Sequence, residues 1–209
     1  MKVYFEYLYK GLVTDFYTSI YDHLQNDEKM FIVTANPESF MISKQDLILS
    51  QVMTDSSVTI VADGIGVVKA YHKLGLGDIS KIPGVDIALR MLEYGNDLHK
   101  SIYLFGAHEE VIQLLVSKIK CEYPNLNIVG FSNGYVDDRN QVFEEIIAKQ
   151  PDMVMVALGV PEQEKLIAQY YSRVNKGIYI GVGGSFDVIS GSKRRAPRVF
   201  QKLNLEWLY

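Results

Sequence analysis

Short, continuous apolar runs and stretches of helical periodicity alternate along this chain, separated by turns that contain glycine or proline. The apolar runs cover residues 31–33, 58–61, 102–105, 127–131, 153–158 and 178–180. Runs without apolar–polar alternation are typical of strands covered on both faces of a sheet. The repeated order of strand, turn and helix predicts an α/β fold: a Rossmann-like, mostly parallel sheet with helices on both faces.

The polar and apolar spacing also predicts where the helices lie. Helices are expected over 109–122 and 138–149, from Pro161 onward, and from Pro37 to about Met53. Residues 1–28 are rich in aromatic side chains and predict a small N-terminal extension, a short strand and a helix that cap the sheet. The length of 209 residues fits a single domain over 1–209.

Composition narrows the function classes. The net charge of −4 argues against bulk nucleic-acid binding, so no nucleic-acid partner is expected. A single cysteine excludes an internal disulfide framework and a cysteine-rich metal site, and it fits a reduced cytoplasmic setting. The sequence predicts no secretion signal and no run near the roughly 20 apolar residues that a membrane-spanning helix needs. Any membrane contact is therefore expected to be peripheral.

Candidate chemistry collects at the predicted strand ends. Ligands of such sheets bind outside the carboxyl ends of the strands, so the turns that follow them should converge on one crevice. Those turns carry Thr34, Asn36, Asp63, Gly106, Gly134, Tyr135, Gly159, Gly183 and Gly184. A glycine-rich backbone followed by the basic triplet Lys193, Arg194 and Arg195 suits a diphosphate.

The residues at the first two strand ends allow two interpretations each. Thr34 or Asn36 can cap the following helix, or they can present hydroxyl and amide groups to a sugar. Asp63 can be a helix N-cap, or it can be a general base at the sheet edge, where partial burial raises the pKa of a carboxyl.

Two interpretations are also open for Lys81, for Asp187 and for the Gly134–Tyr135 pair. Lys81 is either a solvated loop charge or a phosphate contact, and Asp187 is either a cap or a ligand for ribose or sugar hydroxyls. The Gly134–Tyr135 pair is either a packed turn or a platform on which a base stacks. Gln163, in the first turn of a helix whose N–H groups favour an anion, can point into the crevice. The neighbouring Glu162, Glu164 and Lys165 are interpreted as solvated helix charges.

Several familiar motifs are missing from the sequence. The glycines at 64 and 66 lack a third glycine at the dinucleotide spacing, which disfavours a nicotinamide oxidoreductase. No P-loop, no nucleophile elbow and no Asp-x-Asp pair is present, and the four histidines have no metal-ligand spacing. The sequence therefore predicts no metal site and no cofactor.

The order and spacing of the motifs resemble the WecG/TagA/CpsF glycosyltransferase family over about residues 31–209. The matching strings are T-A-N-P-E at 34–38, A-D-G-I-G-V-V at 62–68, P-G-V-D at 83–86, L-F-G-A at 104–107, G-Y at 134–135, A-L-G-V-P-E-Q-E-K at 157–165, and the long terminal string 181–209. Each string is weak alone, but their order is specific, and the terminal string is the strongest.

The resemblance implies a metal-independent, inverting transferase. Its donor would be a UDP-sugar, with N-acetylmannosamine or its uronic acid as the sugar, and its acceptor would be undecaprenyl-diphosphate-linked N-acetylglucosamine at the inner face of the cell membrane. The product would be an intermediate of wall teichoic acid, capsule or a related polysaccharide. Asp63 falls at the family's proposed base, Thr34 and Asn36 at its acceptor-side polar pair, and Gln163 at a donor-contacting glutamine.

Two departures from the family pattern change these expectations. Lys81 stands where related sequences often have arginine, and lysine keeps the charge but loses bidentate phosphate geometry. The family usually continues beyond the terminal Glu-Trp-Leu-Tyr string with a basic, membrane-reaching tail, which the resemblance implies is missing after Tyr209. Reduced membrane affinity and self-association as a homo-oligomer are expected from its loss.

A rival function of another class uses the same fold. A non-catalytic nucleotide-sugar-binding module would place the same turns around the same ligand and would bind UDP without transferring sugar. Both functions require that Asp63 and the glycines near position 183 face one cleft.

Overall fold

The structure, a computed structural model, describes residues 2–197 and 200. Its strands are β1 Lys29–Ala35, β2 Val58–Ala62, β3 Ser101–Gly106, β4 Asn127–Ser132, β5 Met153–Ala157 and β6 Gly177–Gly181. Its helices are α1 Lys2–Glu6, α2 Val13–Gln25, α3 Pro37–Ile42, α4 Leu47–Val52, α5 Ile65–Lys73, α6 Gly84–Asp97, α7 Glu109–Glu122, α8 Arg139–Lys149, α9 Glu162–Tyr171 and α10 Ser185–Ser190.

The strands form one sheet in the order β2-β1-β6-β5-β3-β4, and every pairing is parallel. The predicted α/β fold with a small N-terminal extension is confirmed. Since all strands point the same way, every strand-to-helix turn leaves from the same edge of the sheet.

Successive residues of each strand pack into two different hydrophobic cores. Phe31 and Val33 belong to the core on one face, whereas Ile32 between them belongs to the core on the other. In β3, Tyr103 and Leu104 divide in the same way. Both faces are therefore covered by helices, which is the physical reason that the strands read as continuous apolar runs.

The predicted helix from Pro37 to Met53 is two helices in the structure. Asp46 separates them because its carboxylate accepts a hydrogen bond from the Leu49 amide at 2.9 Å and caps α4. Ser43 ends α3, and its hydroxyl donates to the Ser39 carbonyl at 2.6 Å. A short polar segment within one apolar pattern thus marks a break in the helix.

Residues 2–28 form two helices, whereas the sequence predicted a short strand and a helix. The buried side chains Tyr4, Phe5 and Leu8 are spaced for a helix face, and Phe5 stacks on Phe40 with ring centroids 4.4 Å apart. Leu8 makes an isolated parallel bridge with Ile60 that does not extend into a strand.

Asp152 ties together the amino ends of three strands. Its carboxylate accepts hydrogen bonds from the Ser101 amide at 2.8 Å and hydroxyl at 2.6 Å, and from the Lys176 ammonium at 2.7 Å. Burial alone raises the pKa of this carboxyl, but the hydrogen bonds from Lys176 and Ser101 outweigh it and hold the pKa below its ordinary value. The ionised form is therefore the one that stabilises the fold.

We predict that Asp152→Asn lowers the free energy of unfolding by about 1–3 kcal/mol at neutral pH. Because the folded pKa is depressed, the contribution of Asp152 is present above the unfolded pKa and is lost as the pH falls through the folded pKa. Urea unfolding at pH 7 and near pH ~3 should therefore give a difference from wild type that shrinks in acid. Asp27→Asn, which removes an exposed partner of Lys100, is the control and should change stability by less than about 1 kcal/mol. A difference of the same size at both pH values would contradict this role.

Candidate functional site

The ends of β1 and β2 bring the first two candidate turns side by side. Ala35 pairs with Ala62 in the register of these strands, and the Asp63 amide donates to the Ala35 carbonyl at 2.9 Å. Asn36 and Asp63 therefore begin neighbouring turns. The N-cap position of α5 is Gly64, which lies in the left-handed region at φ 97°, so Asp63 precedes the cap.

Thr34 is buried beneath this edge. Its hydroxyl donates to the Gly181 carbonyl at 3.0 Å, across the β1–β6 pair. Gly84, the first residue of α6, approaches so closely that a Cβ there would lie 3.2 Å from Thr34 Cγ2. The hydroxyl oxygen keeps its ability to accept a further hydrogen bond after donating to Gly181.

Asn36 caps a helix in the structure. Its Oδ1 accepts from the Ser39 amide at 2.9 Å, while the Ser39 hydroxyl accepts from the Asn36 amide at 3.2 Å, forming a capping box at the start of α3. The capping interpretation of Asn36 is therefore confirmed. The same residue also lines the cavity described below, where a ligand can meet it.

Gln163 joins the turn after β5 to the turn after β6. Its Oε1 accepts from the Gly159 amide at 3.2 Å and from the Gly183 amide at 3.1 Å. The side chain is 1% exposed and passes so close to Gly181 that a Cβ there would lie 2.5 Å from Gln163 Nε2. Glycine at position 181 is therefore what lets this amide reach both turns.

The next residue, Glu164, is buried, and its interpretation as a solvated helix charge was wrong. Glu164 Oε1 accepts a hydrogen bond from Gln163 Nε2 at 2.7 Å, and the residue is 1% exposed. Burial raises the pKa of the Glu164 carboxyl to about 7, against the opposing effect of the hydrogen bond from Gln163. The sequence carries a signal for this burial, since Glu164 lies three residues before the buried Ile167 on the same helix face.

One cavity of about 820 Å³ opens at this edge of the sheet, within the volume range of small-molecule sites. Six of the predicted site residues line it: Thr34, Asn36, Asp63, Gln163, Gly183 and Gly184. The structure thus places Asp63 and the glycine turn at 183 in one cleft. The start of α6 contributes Gly84 to the lining, and the start of α10 contributes Ser185.

The lining of this cavity includes three cationic side chains. Lys193, Arg194 and Arg195 all line it. The Lys193 ammonium lies 2.9 Å from the Asp187 carboxylate, and Arg195 pairs with Asp86, so two acids outside the lining position these cations. Three cations beside a glycine turn favour an anionic ligand such as a diphosphate. The basic triplet was visible in the sequence but was not among the predicted binding residues.

Lys81, Gly106, Gly134, Tyr135, Gly159 and Asp187 lie outside the lining of this cavity. Lys81 makes an isolated bridge to Ala62 at the end of β2. Gly106 has φ 124°, and a Cβ there would lie 2.3 Å from the Ala157 carbonyl oxygen, so a close approach of two strand ends requires glycine.

The turns after β3 and β4 form a second group beside the cavity. The Ala107 amide donates to the Ala157 carbonyl at 3.0 Å, and the Gly134 amide donates to the Ala107 carbonyl at 2.8 Å. Tyr135 is 69% exposed and stacks on His108, with ring centroids 4.4 Å apart. Its exposed ring offers a flat surface for stacking.

Other features of the described residues bear on the predicted site. A second cavity, of about 690 Å³, lies between α4 and α9 and contains none of the predicted site residues. Residues 2–197 bring together no group of three or more His, Cys, Asp and Glu side chains that could hold a metal ion. A search of the helices in this part of the chain finds none that is long and apolar enough to cross a membrane.

Comparison with known proteins agrees with the resemblance found in the sequence. The glycosyl transferase WecG/TagA/CpsF family model matches residues 9–209. A protein of Bacillus subtilis (strain 168) named N-acetylglucosaminyldiphosphoundecaprenol N-acetyl-beta-D-mannosaminyltransferase is 44% identical over 92% of this chain and 77% of its own length. Proteins of the same name from Bacillus spizizenii and Staphylococcus aureus (strain NCTC 8325) are 38% and 36% identical over 90% and 88% of this chain, each over 72% of its own length. This chain therefore belongs to the WecG/TagA/CpsF family of glycosyltransferases.

Proposed function

We propose that the chain transfers an N-acetylmannosamine-type sugar from a UDP-sugar to undecaprenyl-diphosphate-linked N-acetylglucosamine. The observation that carries the proposal is a carboxylate, Asp63, in the same cavity as the glycine turn at 183 and three cations. The names of the relatives support the sugar and the acceptor. Such a product serves the synthesis of wall teichoic acid, capsule or a related cell-wall polysaccharide.

The donor diphosphate lies beside Lys193, Arg194 and Arg195, where the cations and the backbone of Gly183 and Gly184 offset its charge. The amino end of α9, whose Gln163 lines the cavity, adds a positive helix dipole. These groups supply the stabilisation that a bridging metal ion gives other transferases, so the reaction is proposed to be metal-independent. Tyr135 stacks on the base, and Asp187 reaches the ligand hydroxyls from beyond the lining.

Asp63 acts as the general base. It accepts the proton of the acceptor hydroxyl while that oxygen forms a bond to the anomeric carbon and the bond from that carbon to UDP breaks. Attack on the face opposite UDP inverts the anomeric centre in one displacement. Thr34 and Asn36 border Asp63 in the cavity and orient the acceptor sugar.

The acceptor fixes where the reaction takes place. Because the relatives are named for an undecaprenol-linked substrate, the chain is proposed to work on the cytoplasmic side, in peripheral contact with the membrane.

The rival function, a nucleotide-sugar-binding module without catalysis, fits the same cavity. It differs in one observable: such a module binds UDP but releases none from a UDP-sugar donor.

We predict that the 209-residue chain releases UDP from UDP-N-acetylmannosamine when a lipid-linked N-acetylglucosamine acceptor is supplied in vesicles. Coupled detection of UDP measures the rate, and co-sedimentation with the same vesicles measures membrane contact. EDTA should leave the rate unchanged. Binding of UDP without acceptor-dependent release would favour the non-catalytic module instead.

We predict that Asp63→Asn lowers kcat by about 100-fold or more, the scale of general-base loss, while the Kd for UDP stays within about twofold of wild type. Asparagine keeps the size of the side chain but cannot accept the proton. The control is Asp78→Asn, which changes an acid with a 93% exposed side chain near His72 and should leave both values unchanged. Retained turnover would remove position 63 from the role of base.

Thr34 tests the acceptor side of the site. We predict that Thr34→Val raises the KM for the acceptor and lowers stability by about 1 kcal/mol, because the hydroxyl that bonds Gly181 is lost. Thr34→Ser keeps that hydroxyl and should keep the acceptor KM within about twofold of wild type. Steady-state kinetics with varied acceptor, together with thermal unfolding, measures both effects. Equal acceptor KM values in the two variants would exclude a contact between this hydroxyl and the acceptor.

A further inference from the structure

Glu164 is a buried acid that the mechanism above does not use. Its Oε1 accepts a hydrogen bond from the side-chain Nε2 of Gln163 at 2.7 Å. Its Oε2 is buried without a hydrogen-bond partner among the described residues. A buried, incompletely satisfied carboxyl costs free energy that an apolar residue at the same place would not. On the same helix face, one turn later, Ile167 is fully buried.

We propose that Glu164 is a positioning residue that holds the Gln163 side-chain amide in one orientation, so that its oxygen keeps the glycine turns after β5 and β6 together. Only the catalytic consequence of this proposal rests on the proposed function. The positioning itself is a property of the free protein.

The reason lies in the donors and acceptors that meet at Gln163. The Gly159 and Gly183 amides can only donate, so they require the oxygen of the side-chain amide and not its NH₂ group. A glutamine amide rotated by half a turn would place NH₂ against two N–H groups. The Glu164 carboxylate can only accept, so it binds the NH₂ and thereby selects the orientation that presents oxygen to both glycines.

The carboxyl keeps this ability in both of its protonation states. Burial raises the Glu164 pKa to about 7, and a protonated carboxyl still has a carbonyl oxygen that accepts from Gln163. An apolar residue at position 164 has no acceptor for the Gln163 NH₂ group. Such a residue would therefore not contribute to the preferred orientation of the Gln163 side-chain amide.

The orientation of the Gln163 side-chain amide affects ligand binding because of where the two turns lie. Gly183 lines the cavity beside Asp63, and Gly159 begins the turn that leads into α9. If the Gln163 oxygen no longer holds the Gly183 amide, the turn that meets the donor loses its fixed place. Donor affinity should then fall, since backbone groups bind an anion well only when they are already oriented.

The experiment compares Glu164→Met, which removes the acceptor at similar volume, with Glu164→Gln, which keeps an oxygen for Gln163. Amide hydrogen exchange of Gly159 and Gly183 is followed by NMR on the ¹⁵N-labelled full chain without ligand. In Glu164→Met both amides should exchange at least about tenfold faster relative to the core amides of β5 and β6. In Glu164→Gln they should stay near wild type.

Ile167→Ala is the matched control, because it removes buried volume from the same face of α9 without removing a hydrogen-bond partner of Gln163. It should lower global stability and speed all amides together, with no selective effect on the two glycines. Unchanged protection of Gly159 and Gly183 in Glu164→Met, or an equal selective effect in Ile167→Ala, would overturn the proposal.

Two further measurements keep the proposal testable if the methionine variant does not fold. In wild type, the Gln163 Nε2 protons should include one that is shifted downfield and exchanges slowly, as expected for a proton held by a carboxylate. The absence of such a proton would overturn the proposal.

Titration with UDP should show about tenfold weaker binding in a folded Glu164→Met than in wild type. Unchanged binding in that variant would remove the link between Glu164 and donor affinity. Failure of wild type to bind UDP would instead count against the proposed function, while the exchange result would still decide the role of Glu164.

Discussion

The site depends on one side-chain oxygen that accepts two backbone hydrogen bonds. Gln163 Oε1 binds the Gly159 and Gly183 amides, and these belong to turns that leave different strands. That bridge joins the two turns directly, in addition to the pairing of β5 with β6 in the sheet. Glycine at 181 is the steric condition for the bridge, since any Cβ there would occupy the place of the Gln163 amide. The geometry of the cavity therefore follows from one amide and one missing side chain.

The polar groups that the fold buries are unevenly distributed. Seven polar residues of the described chain are buried: Thr34, Ser39, Ser43, Asp152, Gln163, Glu164 and Ser185. Five of them lie at or just beyond the carboxyl edge of the sheet, and Ser43 ends α3, where its hydroxyl donates to the Ser39 carbonyl. Asp152 lies at the amino edge, where it binds Ser101 and Lys176. Between the two edges the sheet is covered by apolar side chains on both faces. The cost of burying polar groups is thus concentrated where the ligand is proposed to bind and where the strands begin.

The sequence was informative wherever one local pattern decided the structure. Apolar runs predicted all six strands, and in the five other than the edge strand β4, which is only partly buried, two covered faces leave no polar alternation. The parallel order then brought Thr34, Asn36, Asp63, Gln163, Gly183 and Gly184 to one cavity, as expected for turns at one edge. The predictions from the sequence were wrong where contacts between residues far apart in the chain determine the structure. Residues 2–6 form a helix that packs on Phe40, and Glu164 is buried because α9 turns that face inward. Nor does spacing reveal that Gly106 is needed for its approach to Ala157.

The cavity is lined both by buried polar groups and by charged side chains. Two of the buried lining groups are held by hydrogen bonds within the protein, Thr34 to the Gly181 carbonyl and Gln163 to the Gly183 amide. The cationic residues Lys193, Arg194 and Arg195 follow α10, and two of them form ion pairs, Lys193 with Asp187 and Arg195 with Asp86. A chain of net charge −4 thus brings three cations into the lining of one cavity. Under the proposed function, these cations would stabilise the anionic donor, and the Asp63 carboxylate, which lines the same cavity, would stay available to the neutral hydroxyl of an acceptor.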